Sequence, residues 1–153
     1  MSLGSSFPPG FAEAQIKRQL RPGAVIKLLR IMDDGKPHEK CFVVLHVDEH
    51  TVTCVINSEI NPFIANRPAL MQCQVAMCVS AHAFMHHDSY IDCSRTHGWA
   101  TEDVPRDLTR RPEWLLGEIT TALRDDIVAA LKFARTLSAA EVSVYCESLA
   151  SLS

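Results

Sequence analysis

The chain has 153 residues, 47% hydrophobic and 22% charged, which suits one folded domain with a real core and excludes an unfolded chain. Its formal net charge is −3, and residues 21–95 carry seven basic against eight acidic side chains, so no broad positive field recruits a polyanion and duplex DNA is not an expected partner. No apolar run approaches the roughly 20 residues that span a bilayer, and Met1-Ser-Leu-Gly-Ser-Ser lacks the charged and apolar regions of a signal peptide, so a cytoplasmic protein without membrane contact is expected.

Residues 1–20 read as an arm followed by one short helix. Pro8-Pro9-Gly10 keeps the first ten residues irregular, and Phe11, Ala14, Ile16 and Leu20 give a loose apolar side before Pro22-Gly23 stops the helix. Residues 21–153 read as a single domain. Runs of branched side chains at 24–32, 40–47 and 51–56 are separated by the turn signals Asp33-Asp34-Gly35 and Asp48-Glu49-His50. The third run, TVTCVI, alternates Thr with Val and Cys, the period-2 pattern of a half-buried strand. Strands about ten residues apart predict an antiparallel meander curling into a small barrel.

The segment 57–68 is the longest polar connection. Further strands are predicted at 75–80 and 87–93, the latter with Ser89, Ile91 and Cys93 on one side and Tyr90 and Asp92 on the other. Beyond Thr96 the period lengthens. Leu115, Ile119, Leu123, Ile127, Leu131 and Ala134 form one stripe, and Pro112 suits a first turn, so a helix is predicted over about 112–135. Ser138-Ala-Ala-Glu141 matches a capping box opening a second helix over 138–150, with Val142, Tyr145 and Leu149 on one face. The expected fold class is thus mainly β with two amphipathic C-terminal helices. Their stripes must be buried against the barrel, each other or a second subunit.

Six cysteines lie mostly within apolar runs and form no CxxC pair, which predicts buried, reduced thiols. His82, His86 and His87 with Asp88 make a histidine-rich patch. Adjacent histidines on a strand point to opposite faces and no HExxH occurs, so a polar loop is predicted, with no metal and no cofactor. Cys93 is expected to be structural. No GxSxG, P-loop or GxGxxG is present.

A different set points to chemistry. Lys36, His38 and Lys40 crowd the first hairpin, Asn57 and Ser58 follow the third strand, and Asp92 and Arg95 follow the fifth. Converging strand ends would bring together a phosphate-binding cation (Arg95 or Lys40), a proton-transfer group (His38 or Asp92) and polar donors (Ser58, Asn57). Metal-free RNA cleavage needs that set: a base for the ribose 2′-hydroxyl, a cation for the charge developing at phosphorus, and an acid for the leaving oxygen.

Gly23-Ala-Val-Ile, a charged hairpin and Lys40-Cys-Phe-Val-Val-Leu together resemble the opening of the PemK/MazF-like toxins. Val55-Ile-Asn-Ser58 is similar to their third strand, Tyr90-Ile-Asp-Cys-Ser-Arg-Thr96 to the segment carrying their acidic and basic site residues, and Leu137-Ser-Ala-Ala-Glu141 to the start of their closing helix. The resemblance covers about 22–150. It implies an SH3-like barrel, usually dimeric, that cleaves single-stranded RNA without a metal and is inhibited by the disordered tail of an antitoxin. By position, Asp92 and Arg95 match the acidic/basic pair and Ser58 the hydroxyl. The chain departs from the pattern in having Glu39-Lys40 in place of Arg-Pro, no arginine just ahead of Asp92, and two closing helices instead of one. Lysine supplies a point charge but no bidentate fork. An active endoribonuclease and a catalytically degenerate relative therefore both stand, beside a third reading: a non-enzymatic, phage- or mobile-element-associated module that binds a protein through its helical tail.

Overall fold

The computed structural model describes residues 10–151, so the arm predicted at 1–10 lies, except for Gly10, outside the described residues. Strands β1 (Ala24–Ile31), β2 (Pro37–Val47) and β3 (His50–Asn57) make the meander that the turn signals predict. Gly35 closes the first hairpin at φ 77°, a left-handed conformation that favours glycine, and its N–H donates to the Met32 carbonyl. Four short strands follow: β4 (Gln74–Met77), β5 (Ser89–Asp92), β6 (His97–Ala100) and β7 (Leu115–Glu118). Among the described residues six α-helices accompany them: α1 (Phe11–Gln19), α2 (Pro62–Ala65), α3 (Pro68–Met71), α4 (Asp103–Arg110), α5 (Thr121–Leu131) and α6 (Ala139–Ala150). Among the described residues, no helix is long and apolar enough to cross a membrane.

The fold is mixed α/β, not mainly β, and the expected barrel does not close. All strand pairs are antiparallel, in the order β4-β5-β3-β2-β1-β7, with β6 also on β3. Helices do the covering that closure would have done. On one face Val25, Val43, Leu45, Cys54, Ile56 and Ile91 pack with Leu123, Ile127 and Leu131 of α5 and Tyr145 and Leu149 of α6. On the other, Ala24, Ile26, Leu28, Phe42, Val44 and Val55 pack with Ile16, Leu20 and, from α4, Val104 and Leu108. Burial on both faces explains why the first strands are near-continuous apolar runs. It also corrects the half-buried reading of 51–56: Thr51 and Thr53 are fully buried, and the Thr53 hydroxyl donates to the His97 carbonyl (2.9 Å).

The predicted helix over 112–135 starts late, at Thr121. Pro112–Trp114 is a single 3-10 turn, and Leu115–Glu118 pairs with β1. Leu115 and Ile119 fit a helical stripe by spacing alone, but the Thr120 side chain accepts from Leu123 N–H and caps the helix there. Gly117 lets β7 sit close under Phe84, where an added Cβ would lie 2.6 Å from a ring carbon. The capping box at Ser138 and Glu141 forms as its spacing predicts. Helix α4 and strand β6 carry too few apolar residues to form a periodic pattern. Pro105 is tolerated in α4 because first-turn N–H groups have no intrahelical partner.

Candidate functional site

A cleft of about 530 Å³ opens between the first hairpin, the end of β3, α2 and the turn after β5. Five of the six predicted site residues line it: His38, Lys40, Asn57, Asp92 and Arg95. Strand geometry explains the convergence. Antiparallel β2 and β3 pair Cys41 with Ile56, so Lys40 falls opposite Asn57, and its ammonium donates to Asn57 Oδ1 (2.9 Å). The β3–β5 register, Ile56 with Ile91, sets Asp92 beside Val55. His38, Lys40 and Phe42 share one face of β2 by alternation. The cleft is therefore the open end of the face that α1 and α4 cover elsewhere. Ser58 is not brought in. It lines a neighbouring cavity of about 230 Å³ with Lys27, Cys41 and His87, which Lys40 also touches.

Each polar group in the cleft has a definite partner. His38 Nε2 meets Asp34 Oδ2 at 2.7 Å, while Asp34 Oδ1 accepts the Lys36 N–H at 2.9 Å. The Lys36 N–H first and His38 second hold the Asp34 carboxyl below the usual carboxylate range. Arg95 forms an ion pair with Asp33 that bridges the hairpin and the turn after β5. Asp92, 5% exposed, uses Oδ1 to accept from Gln74 Nε2 (2.9 Å), Ser94 N–H (3.0 Å) and Ser94 Oγ (2.6 Å). Its carboxylate thus shapes the turn that presents Arg95. Thr136, after α5, ties the same turn by donating to the Ser94 carbonyl at 2.6 Å. Lys40 is the lining cation whose bonded partner is a neutral amide.

No known protein-family model and no curated protein matches the chain.

Sequence reasoning missed the carboxylates. Asp33 and Asp34 read as turn residues, yet they partner Arg95 and His38. The i, i+4 spacing of Asp34 and His38 across a tight hairpin was the available signal. Phe63 was hidden in the polar connection, although it also lines the cleft. Cys93, fully buried, has its thiol pushed well up by the Cys54 hydrogen bond and by burial, so it stays protonated and structural. Among the described residues, no group of three or more His, Cys, Asp or Glu side chains is arranged to hold a metal ion.

His97 lies close by, stacked on Trp99 (6.2 Å between centroids, 12°) and edge-on to Phe42, with its Nε2 buried and unpartnered among the described residues. Burial first and Arg95 second push its pKa down, against an opposing pull from Asp92. The folded state therefore takes up its proton at lower pH than the unfolded chain, whose histidine titrates near about 6.5. Below that value the unfolded state binds more protons, so stability falls with pH until the folded pKa is reached. Thermal melts should show the melting temperature dropping between about pH 7 and 5. His97→Phe should flatten that part of the profile; an unchanged slope would remove His97 as its source.

Proposed function

We propose that this chain is a PemK/MazF-like endoribonuclease that cleaves single-stranded RNA without a metal, on an SH3-like barrel left open between its β4 and β7 edges. The observation that carries this reading is the arrival of His38, Lys40, Asn57, Asp92 and Arg95, from three separate parts of the chain, on one cleft. In the tautomer whose Nε2–H donates to Asp34 Oδ2, His38 keeps an Nδ1 lone pair for the 2′-hydroxyl proton. The 2′-oxygen then bonds to phosphorus as the P–O5′ bond breaks, leaving a 2′,3′-cyclic phosphate. The departing 5′-oxygen takes a proton from solvent in the open cleft. Lys40 and Arg95 face the charge that develops on the phosphoryl oxygens. The Arg95–Asp33 pair leaves about half of each side chain exposed, at 47% and 63%. Such a pair is worth about 1 kcal/mol at most, so a phosphate can compete for the guanidinium.

Under the same reading the protein works as a cytoplasmic homodimer, and an antitoxin segment inhibits it by filling the cleft. Partner binding through the helical tail draws less support, because Leu123, Ile127, Leu131, Tyr145 and Leu149 are already buried on the sheet. The test is a mixed RNA pool incubated with the protein in EDTA. Wild type should leave cyclic-phosphate ends, and His38→Ala should slow cleavage by about 10²–10⁴-fold. Intact RNA after incubation with the wild type would refute the nuclease reading.

A further inference from the structure

We infer that Phe63, backed by Arg67, is a stacking platform that receives one unpaired nucleobase of the strand held in the cleft. This deepens the proposed function and rests on it for the identity of the ligand. Phe63 is 60% exposed and belongs to neither core cluster, so packing does not account for it. Its presentation is nonetheless fixed. Asn61 caps α2 by accepting the Ile64 N–H at 2.9 Å, and Pro62 occupies the first turn. Ile64 anchors the helix in the interior, and its neighbour Phe63, about 100° round the helix, is turned outward to the cleft wall.

One face of the ring is already taken. The Arg67 guanidinium lies 3.6 Å from the ring centroid, held there by a 2.7 Å hydrogen bond from its Nη1 to the Phe63 carbonyl. With one face covered and most of the side chain in water, the open face is the other one. A base laid on it completes a three-layer stack of guanidinium, phenyl and base, the arrangement by which single-strand binders hold bases without reading them. The cleft volume of about 530 Å³ is in the range of small-ligand sites. Asn57, its Oδ1 engaged by Lys40, keeps two N–H donors on the same cleft for acceptors on a base edge or sugar.

The test measures binding apart from cleavage. Fluorescein-labelled 2′-O-methyl oligoadenylate has no 2′-hydroxyl proton to lose, and an abasic strand of equal length keeps the phosphates without the bases. Wild type should bind the base-bearing strand more tightly than the abasic one. Phe63→Ala should weaken the base-bearing strand by about 5- to 150-fold, the range measured for a lost base–aromatic stack, and leave abasic binding unchanged. Phe63→Leu should behave like alanine although it keeps apolar bulk, and Phe63→Trp should restore affinity. Equal binding of the base-bearing strand by wild type and Phe63→Ala would overturn the platform. Wild type that binds and discriminates but fails to cut unmodified RNA would sink the nuclease reading and leave the platform standing. Wild type that binds neither strand would sink both.

Discussion

Lys40→Ala is expected to lower the cleavage rate on single-stranded RNA in EDTA by about 10²–10³-fold, comparable to removing one preorganised charge-stabilising group. The size follows from what its ammonium touches. Its hydrogen bond goes to the Asn57 amide, and among the described residues no carboxylate lies within ion-pair distance. Its positive charge is thus fully available to a phosphate. Arg95→Ala should cost less, because its guanidinium is already shared with Asp33. Lys40→Arg is the informative control. It keeps the charge but exchanges a compact ammonium for a longer planar fork. Partial activity is expected from it. Steady-state kinetics separate the roles, since loss of a group that acts mainly in the transition state lowers kcat, while loss of a simple phosphate contact raises KM. Lys40→Ala with wild-type kcat would move the cation's role to Arg95 alone.

Much of this site was legible in the chain because hairpins report on themselves. Asp48-Glu49-His50 set the second turn, and the β2–β3 register that follows, shifted by one residue between Val44 and His46, places Lys40 across from Asn57. The convergence of Asp92 and Arg95 was legible only as strand ends meeting. Three things were not legible, each for a physical reason. Helix α4 has only Val104 and Leu108 to bury beside Pro105, too little for a periodic signal. Strand β7 is four residues whose Leu115 fits a helical stripe equally well, so local spacing could not separate the two states. Closure of the sheet is a global property. It is decided by whether a helix such as α5 or further strand pairing covers the β4 side, and no short motif encodes that choice. Ser58 fell away for a related reason: one residue past Asn57, the alternation of side chains sends it to the neighbouring cavity.

Phe42→Ala should be the most destabilising single substitution, at about 3–5 kcal/mol in urea unfolding. Phe42 is fully buried on the central strand β2, edge-on to Trp99 at 4.8 Å and 79°, and packed among Ile26, Leu28, Val104 and Leu108. Truncation removes the ring's transfer energy and opens a cavity that the flanking strand and α4 cannot close. A domain of this size is held by about 5–15 kcal/mol in all, so the loss takes a large share of its stability. Leu131→Ala on the opposite face should cost about 2–5 kcal/mol, since Leu131 is fully buried where α5 meets the sheet. The two residues belong to separate clusters divided by the sheet. Residues without shared partners add to within about 0.3–0.5 kcal/mol, so the double variant should lose close to the sum, with an unchanged denaturant slope. Marked non-additivity would mean that the sheet transmits repacking from the α5/α6 face to the α1/α4 face. The cleft, which is the open end of that second face, would then be mechanically coupled to the helical tail.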